Sequence, residues 1–175
     1  MSLELIVAKL VEIVQVVPGI GRVHDYDRKH TPPALVQAEL GIEDLTTPKR
    51  WSVRAYMWYR RGSPGEWMTV DAAVIGIGHR MVLESLWEIN DAQASEVEWR
   101  TANDTIRHLF AADPFLLQDV AHKFSFPQIA IETKYYGEGL PPCHNHEMVL
   151  DIYEVENNSA SAEGIELYTA PWNIF

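Results

Sequence analysis

The stretch "WSVRAYMWYRR" (51–61) decides the fold. Trp51, Val53, Ala55, Met57 and Tyr59 fall on one side, and Ser52, Arg54, Tyr56 and Arg60 on the other, the two-residue period of an extended chain. A Gly/Pro turn at 62–65 interrupts it, and "HRMVLESLWEI" (79–89) resumes the alternation, with Met81, Leu83, Trp87 and Ile89 on the inner face. These two strands read as a hairpin, and "EWMTVDAAVIGIG" (66–78) reads as a long excursion from it rather than a new core element.

Working outward, Ser95-Glu96-Val97-Glu98 is a capping box, in which hydroxyl and carboxylate each satisfy an orphan backbone donor. It opens a helix over 95–111 whose apolar stripe is Trp99, Ala102, Ile106, Leu109 and Phe110, closed by Asp113-Pro114. "PQIAIETKYY" (127–136) and "HEMVLDIYEVE" (146–156) are two further strands, joined through "GEGLPP". In the other direction, Leu3, Ile6, Val7, Leu10, Ile13, Val14 and Val17 make one stripe of an amphipathic helix, capped by Ser2 and stopped by Pro18, Gly19 and Gly21. "RVHDY" (22–26) is a short strand, and 28–50, with Pro32, Pro33 and Pro48, reads as a long, partly helical loop.

The predicted order is α-β-β-β-α-β-β, an α+β fold with a mainly antiparallel sheet and two helices packed on one face. With 175 residues, a single domain over 1–156 is expected. The small, polar "NNSASAEG" (157–164) then reads as a linker to an aromatic C-terminal arm, "IELYTAPWNIF". Bare aromatics on such a tether dock, on their own sheet or on another subunit.

The charge excludes more than it suggests. With 25 acidic residues against 14 basic ones the chain carries a formal charge of −11. It lacks the cationic surface that drives phosphate binding, which argues against sequence-specific nucleic-acid recognition. No apolar run reaches the roughly 20 residues that cross a bilayer, and Glu4, Lys9 and Glu12 spoil the N-terminus as a signal peptide. One cysteine forms no internal disulfide, so a reducing, cytosolic setting fits.

Chemistry is sought first in "PPCHNHE" (141–147), where Cys143, His144, His146 and Glu147 are four potential metal ligands within five positions. On a strand His144 and His146 share a face while Cys143, Asn145 and Glu147 take the other. The pair needs a third ligand, from His24, His79, His108 or His122, and none of these sits in a recognisable partner motif. A metal-dependent enzyme built on His144 and His146 is therefore the alternative function, and the plainer expectation is a polar turn with solvated imidazoles entering an edge strand. Cys143 lacks an activating partner, since His144 points away from it. His24-Asp25 is split across a strand in the same manner, and Glu96/Glu98 and Glu154/Glu156 read as solubilising surface pairs. "VIGIGH" (74–79) lacks the third glycine and the helix of a dinucleotide fingerprint, and there is no Gly-x-Ser-x-Gly elbow. The expectation is a chain with no catalytic residue, no cofactor and no metal.

Six Trp, seven Tyr and five Phe exceed what one small core needs. Trp58, Trp67 and Trp172 fall on outward faces, in loops or in the arm. Aromatics and arginines are the residues that interfaces favour, which makes Arg60, Arg61, Trp67, Trp172 and Phe175 candidates for a subunit or partner interface.

The whole arrangement resembles the tail terminator (tail-completion, minor tail protein U-like) family of tailed bacteriophages and prophages. The likeness is carried by "LELIVAKLVEIVQVVPGIGRVHDYDR", by the hairpin of 51–61 and 79–89 with its long loop, and by the capped helix followed by a terminal hairpin, over residues 3–156. The resemblance implies a non-enzymatic homo-oligomer, typically a hexameric ring. Such a ring caps the tail tube, contacts head-completion or neck proteins, and passes DNA through its lumen without binding it. It implies assembly in the bacterial cytoplasm and residence in the virion, and gives 62–78 the contact with the tube. An acidic lumen that repels phosphate agrees with the charge. The loop at 28–50 and the arm at 157–175 go beyond the simplest members.

Overall fold

A computed structural model describes residues 3–28, 31–43, 51–63, 66–68, 74–89, 95–121, 123–125, 128–134 and 140–157. The expected architecture is present. In chain order the elements are α1 (Leu3–Gln15), β1 (Arg22–His24), a 3₁₀ turn (Pro33–Leu35), α2 (Val36–Leu40), β2 (Gly41–Glu43), β3 (Trp51–Gly62), β4 (Glu66–Met68) and β5 (Val74–Glu88). They continue with α3 (Ser95–Ala112), β6 (Lys123–Phe124), β7 (Gln128–Lys134) and β8 (Cys143–Asn157).

Strand order in the sheet is β1-β3-β5-β8-β6, with β2 on β3, β4 on β5 and β7 on β8. Among the described strands only β1 pairs in parallel, with Val23 opposite Tyr56. The two long strands β5 and β8 form its spine, from Glu88 opposite Cys143 to Val74 opposite Asn157. This corrects the reading of 66–78 as an excursion: Val74–Gly78 belong to β5, and β4 runs back along them, Trp67 opposite Gly76. It also corrects the expectation of an edge strand at "CHNHE", because β8 has β5 on one side and β6 and β7 on the other.

Both long helices lie on one face. Ile6, Leu10, Ile13 and Val14 of α1 and Trp99, Ala102, Ile106 and Phe110 of α3 bury their stripes there. They pack on Tyr56, Trp58, Met81, Leu83, Trp87, Met148, Leu150 and Ile152 of the sheet. Trp58, expected outside, is fully buried here, edge-on to Phe110 with centroids 6.1 Å apart. The error is one of counting faces. The opposite face is also covered, by Val36 and Leu40 of α2 on Val53, Ala55, Met57, Leu86 and Cys143. With both faces apolar, alternation no longer tells inside from outside.

The short elements between β1 and β3 are pinned by polar contacts. Arg22 Nε donates to the Gly41 carbonyl at 2.7 Å, His24 Nε2 lies 2.8 Å from the Glu39 carbonyl, and Arg28 pairs with Glu39 at 2.7 Å. Gly21, at φ 83°, leads the chain into β1 hard against β3; a Cβ there would lie 2.2 Å from the Arg54 carbonyl oxygen. Arg54 itself ties three elements together. It donates to Gly19 O at 3.2 Å, pairs with Glu98 at 2.7 Å and stacks 3.9 Å from the Trp87 ring centroid. Glu98, read as the second half of a capping box, thus spends Oε2 on β3. Replacing Arg54 with alanine removes a stacked cation and a partly exposed ion pair, so a loss of about 1–2 kcal/mol in urea unfolding is expected.

Candidate functional site

The "CHNHE" run is the opening of β8, and its side chains separate as a strand requires. His144 and His146 enter the layer between sheet and α3, and both are buried rather than solvated. Trp99 sits over them, stacked on His144 with centroids 4.9 Å apart and edge-on to His146 at 6.4 Å. The Trp99 indole N–H donates to Ser85 Oγ at 3.0 Å, and Ser85 lies directly opposite His146 in the ladder. Ser95 Oγ lies 3.5 Å from His144 Nε2, and Tyr56 donates to Asn103 Oδ1 at 3.2 Å. This is a belt of polar and aromatic groups that locks α3 onto β5 and β8.

Burial sets its protonation. The His146 pKa is pushed down to about 4 by desolvation, against smaller upward pulls from Asp104 and Glu147. His24 is lowered too, by desolvation first. Burial acts on Cys143 in the opposite sense, raising the thiol to about 12 with help from the Glu88 charge. Cys143 lies on the α2 face, its Sγ 3.3 Å from the Pro141 carbonyl, so the thiolate needed for nucleophilic chemistry is disfavoured.

Two further polar clusters were hidden in the sequence. On the α2 face, buried Glu84 accepts from the Tyr59 hydroxyl at 2.8 Å and from Asn145 Nδ2 at 2.7 Å. Arg61 extends this cluster, donating to Tyr59 Oη at 2.8 Å and gripping Glu147 through both terminal nitrogens at 2.7 and 2.8 Å. On the helix face, His79 and Glu154 meet at 2.6 Å, both buried, which corrects Glu154 as a solubilising residue. Only the β5–β8 register could have shown that pairing, since it sets Ile77 opposite Glu154 and His79 opposite Ile152.

Among the described residues the predicted ligands therefore do not converge. His108 is exposed on α3, His24 is held at Glu39, His79 is bonded to Glu154, and His122 lies outside the described residues. Among the described residues, no three His, Cys, Asp or Glu side chains are grouped to hold a metal ion. Of the interface candidates, Arg61 is engaged by Glu147 and Arg60 Nε donates to the Gly62 carbonyl at 3.1 Å. The Trp67 side chain, Trp172 and Phe175 lie outside the described residues. No helix among the described residues is long and apolar enough to cross a membrane. The chain matches no protein-family model, and no curated protein is similar to it in sequence.

Proposed function

We propose that this chain is a structural protein of a tailed bacteriophage or prophage: a tail terminator or neck component that closes into a ring, caps the tail tube and joins it to the head. The observation that carries the reading is the arrangement of elements. α1, a Pro-Gly turn and β1 lead into the long β3–β5 hairpin, then α3, then the β7–β8 hairpin, the order that the resemblance implies. The ionisable groups that a catalytic reading would use support it, since Glu84, His79, Glu154 and His146 are spent inside the packing. In this reading the ribbon of β4 with the adjoining ends of β5 and β8 faces the tube, and Arg60 and Arg61 stand near its base. The charge of −11 suits a lumen that DNA crosses without adhering. The protein would assemble in the bacterial cytoplasm and end in the virion tail or neck.

A closed ring requires a heterologous contact, one patch meeting a different patch on the next copy. Light scattering coupled to size exclusion at tens of micromolar should therefore give a mass several times that of the chain, typically sixfold, and negative-stain images should show annuli. A clean monomer would sink the proposal. The metal-enzyme alternative is tested by elemental analysis of protein purified without a histidine tag. We expect substoichiometric zinc and iron and a melting temperature unaltered by EDTA.

A further inference from the structure

Among the described residues the helix layer carries an apolar concavity that the fold does not explain. A groove runs between the second half of α1 and the turns that follow α3, with Ile13, Leu109 and Leu116 lining it. Its lips are Val16 and Phe115, which are 72 % and 67 % exposed. Two large apolar side chains flanking one concavity present a surface that water leaves readily when something apolar arrives.

We infer that this groove is the seat of the aromatic arm, residues 167–175, of this chain or of a neighbouring copy. The first reason is composition. "LYTAPWNIF" (167–175) offers Leu167, Tyr168, Trp172, Ile174 and Phe175. The second is charge. Glu12, Asp113 and Asp119 border the groove, and Lys9, the basic residue of its lining, is paired with Glu12 at 3.2 Å, so a segment without charged side chains enters with less repulsion than the acidic stretch at 163–166.

The third reason is reach. β8 ends at Asn157, five residues beyond Ile152. Ile152 lies opposite Phe124, which packs 6.0 Å from Phe110, the neighbour of the groove residue Leu109. Retracing those strand residues takes roughly 17 Å, and crossing the helix layer takes roughly 10 Å. The connecting residues 158–166 span up to about 30 Å when extended. The tether is long enough, and it holds the arm near the groove at high effective concentration.

The test uses the full-length protein with paired cysteines, the native Cys143 being buried. Val16→Cys combined with Trp172→Cys is oxidised and run on a non-reducing gel. Val97→Cys with Trp172→Cys is the control, because Val97 is 65 % exposed near the other end of α3. We expect the 16–172 disulfide to form about tenfold faster or more than the 97–172 one. A faster-migrating monomer would place the arm on its own chain, and a covalent ladder would place it on the neighbour; either sustains the inference. Equal rates, or no 16–172 product, would overturn it.

Maleimide labelling of the Val16→Cys protein supplies the second arm. Adding Trp172→Ser and Phe175→Ser should speed labelling several-fold, as in the release of a docked segment. Fast labelling with the arm intact would mean an open groove. Slow labelling in both proteins, with a dimeric mass, would assign the groove to a second copy's body. Both of those results reject the arm as occupant.

Discussion

Replacing Trp58 with alanine should lower the free energy of unfolding by about 3–5 kcal/mol. Trp58 is fully buried at the centre of β3, under α3, where its ring meets Phe110 edge-on. Truncation leaves a cavity walled by Phe110 and by the β5 residues beside it, Leu83 lying directly opposite in the ladder. That cavity is too well braced by the sheet to collapse. Urea unfolding should show the midpoint moving with the slope unchanged. Trp58→Phe is the informative companion. The Trp58 indole nitrogen is buried with no hydrogen-bond partner among the described residues, so deleting it sacrifices volume and ring contact but no bond. The phenylalanine variant should keep most of the stability. If alanine at 58 costs less than about 1 kcal/mol, the buried position is wrong.

Acidification from pH 7 to pH 5 should destabilise the protein, and His146 should be a principal cause. Its folded pKa is about 4, against 6.5 for an unperturbed histidine. Between those values the unfolded chain takes up a proton that the folded chain refuses. Stability is therefore complete above pH 6.5 and is lost as the pH falls toward 4. Each pKa unit corresponds to roughly 1.4 kcal/mol, so going from pH 7 to pH 5 should remove about 2 kcal/mol through this residue alone. His24 shifts in the same direction, so a His146→Gln variant isolates the effect. The variant should be weaker at pH 7, where Trp99 loses its edge contact, but its stability should fall less steeply between pH 7 and pH 5. Parallel slopes for the two proteins would show that His146 is not a buried neutral imidazole.

The expected acid response and the scattering of the described candidate ligands have one origin. "CHNHE" looked like ligands because histidine, cysteine and glutamate share the donor atoms that metals use. Placed in a central strand, the same residues are divided between two sheet faces, each already packed. His144 and His146 are instead packed against the ring of Trp99, a partner 45 or more residues away that no local spacing announces. The Glu84 cluster was equally silent, since its members come from β3, β5 and β8.

Local periodicity determined the elements. The stripes of α1 and α3 and the alternation in β3, β5 and β8 were legible because backbone geometry imposes periods of 3.6 and 2 on any chain that buries one side. The α+β class followed from their order. Which sheet face was inside, how far β5 extended, and where Trp58, His79, His146 and Glu154 came to rest were decided only in three dimensions. The short segment around α2 covers the second face, and the register of β5 on β8 chooses which distant residues meet. Neither is encoded within the span over which a strand or a helix repeats.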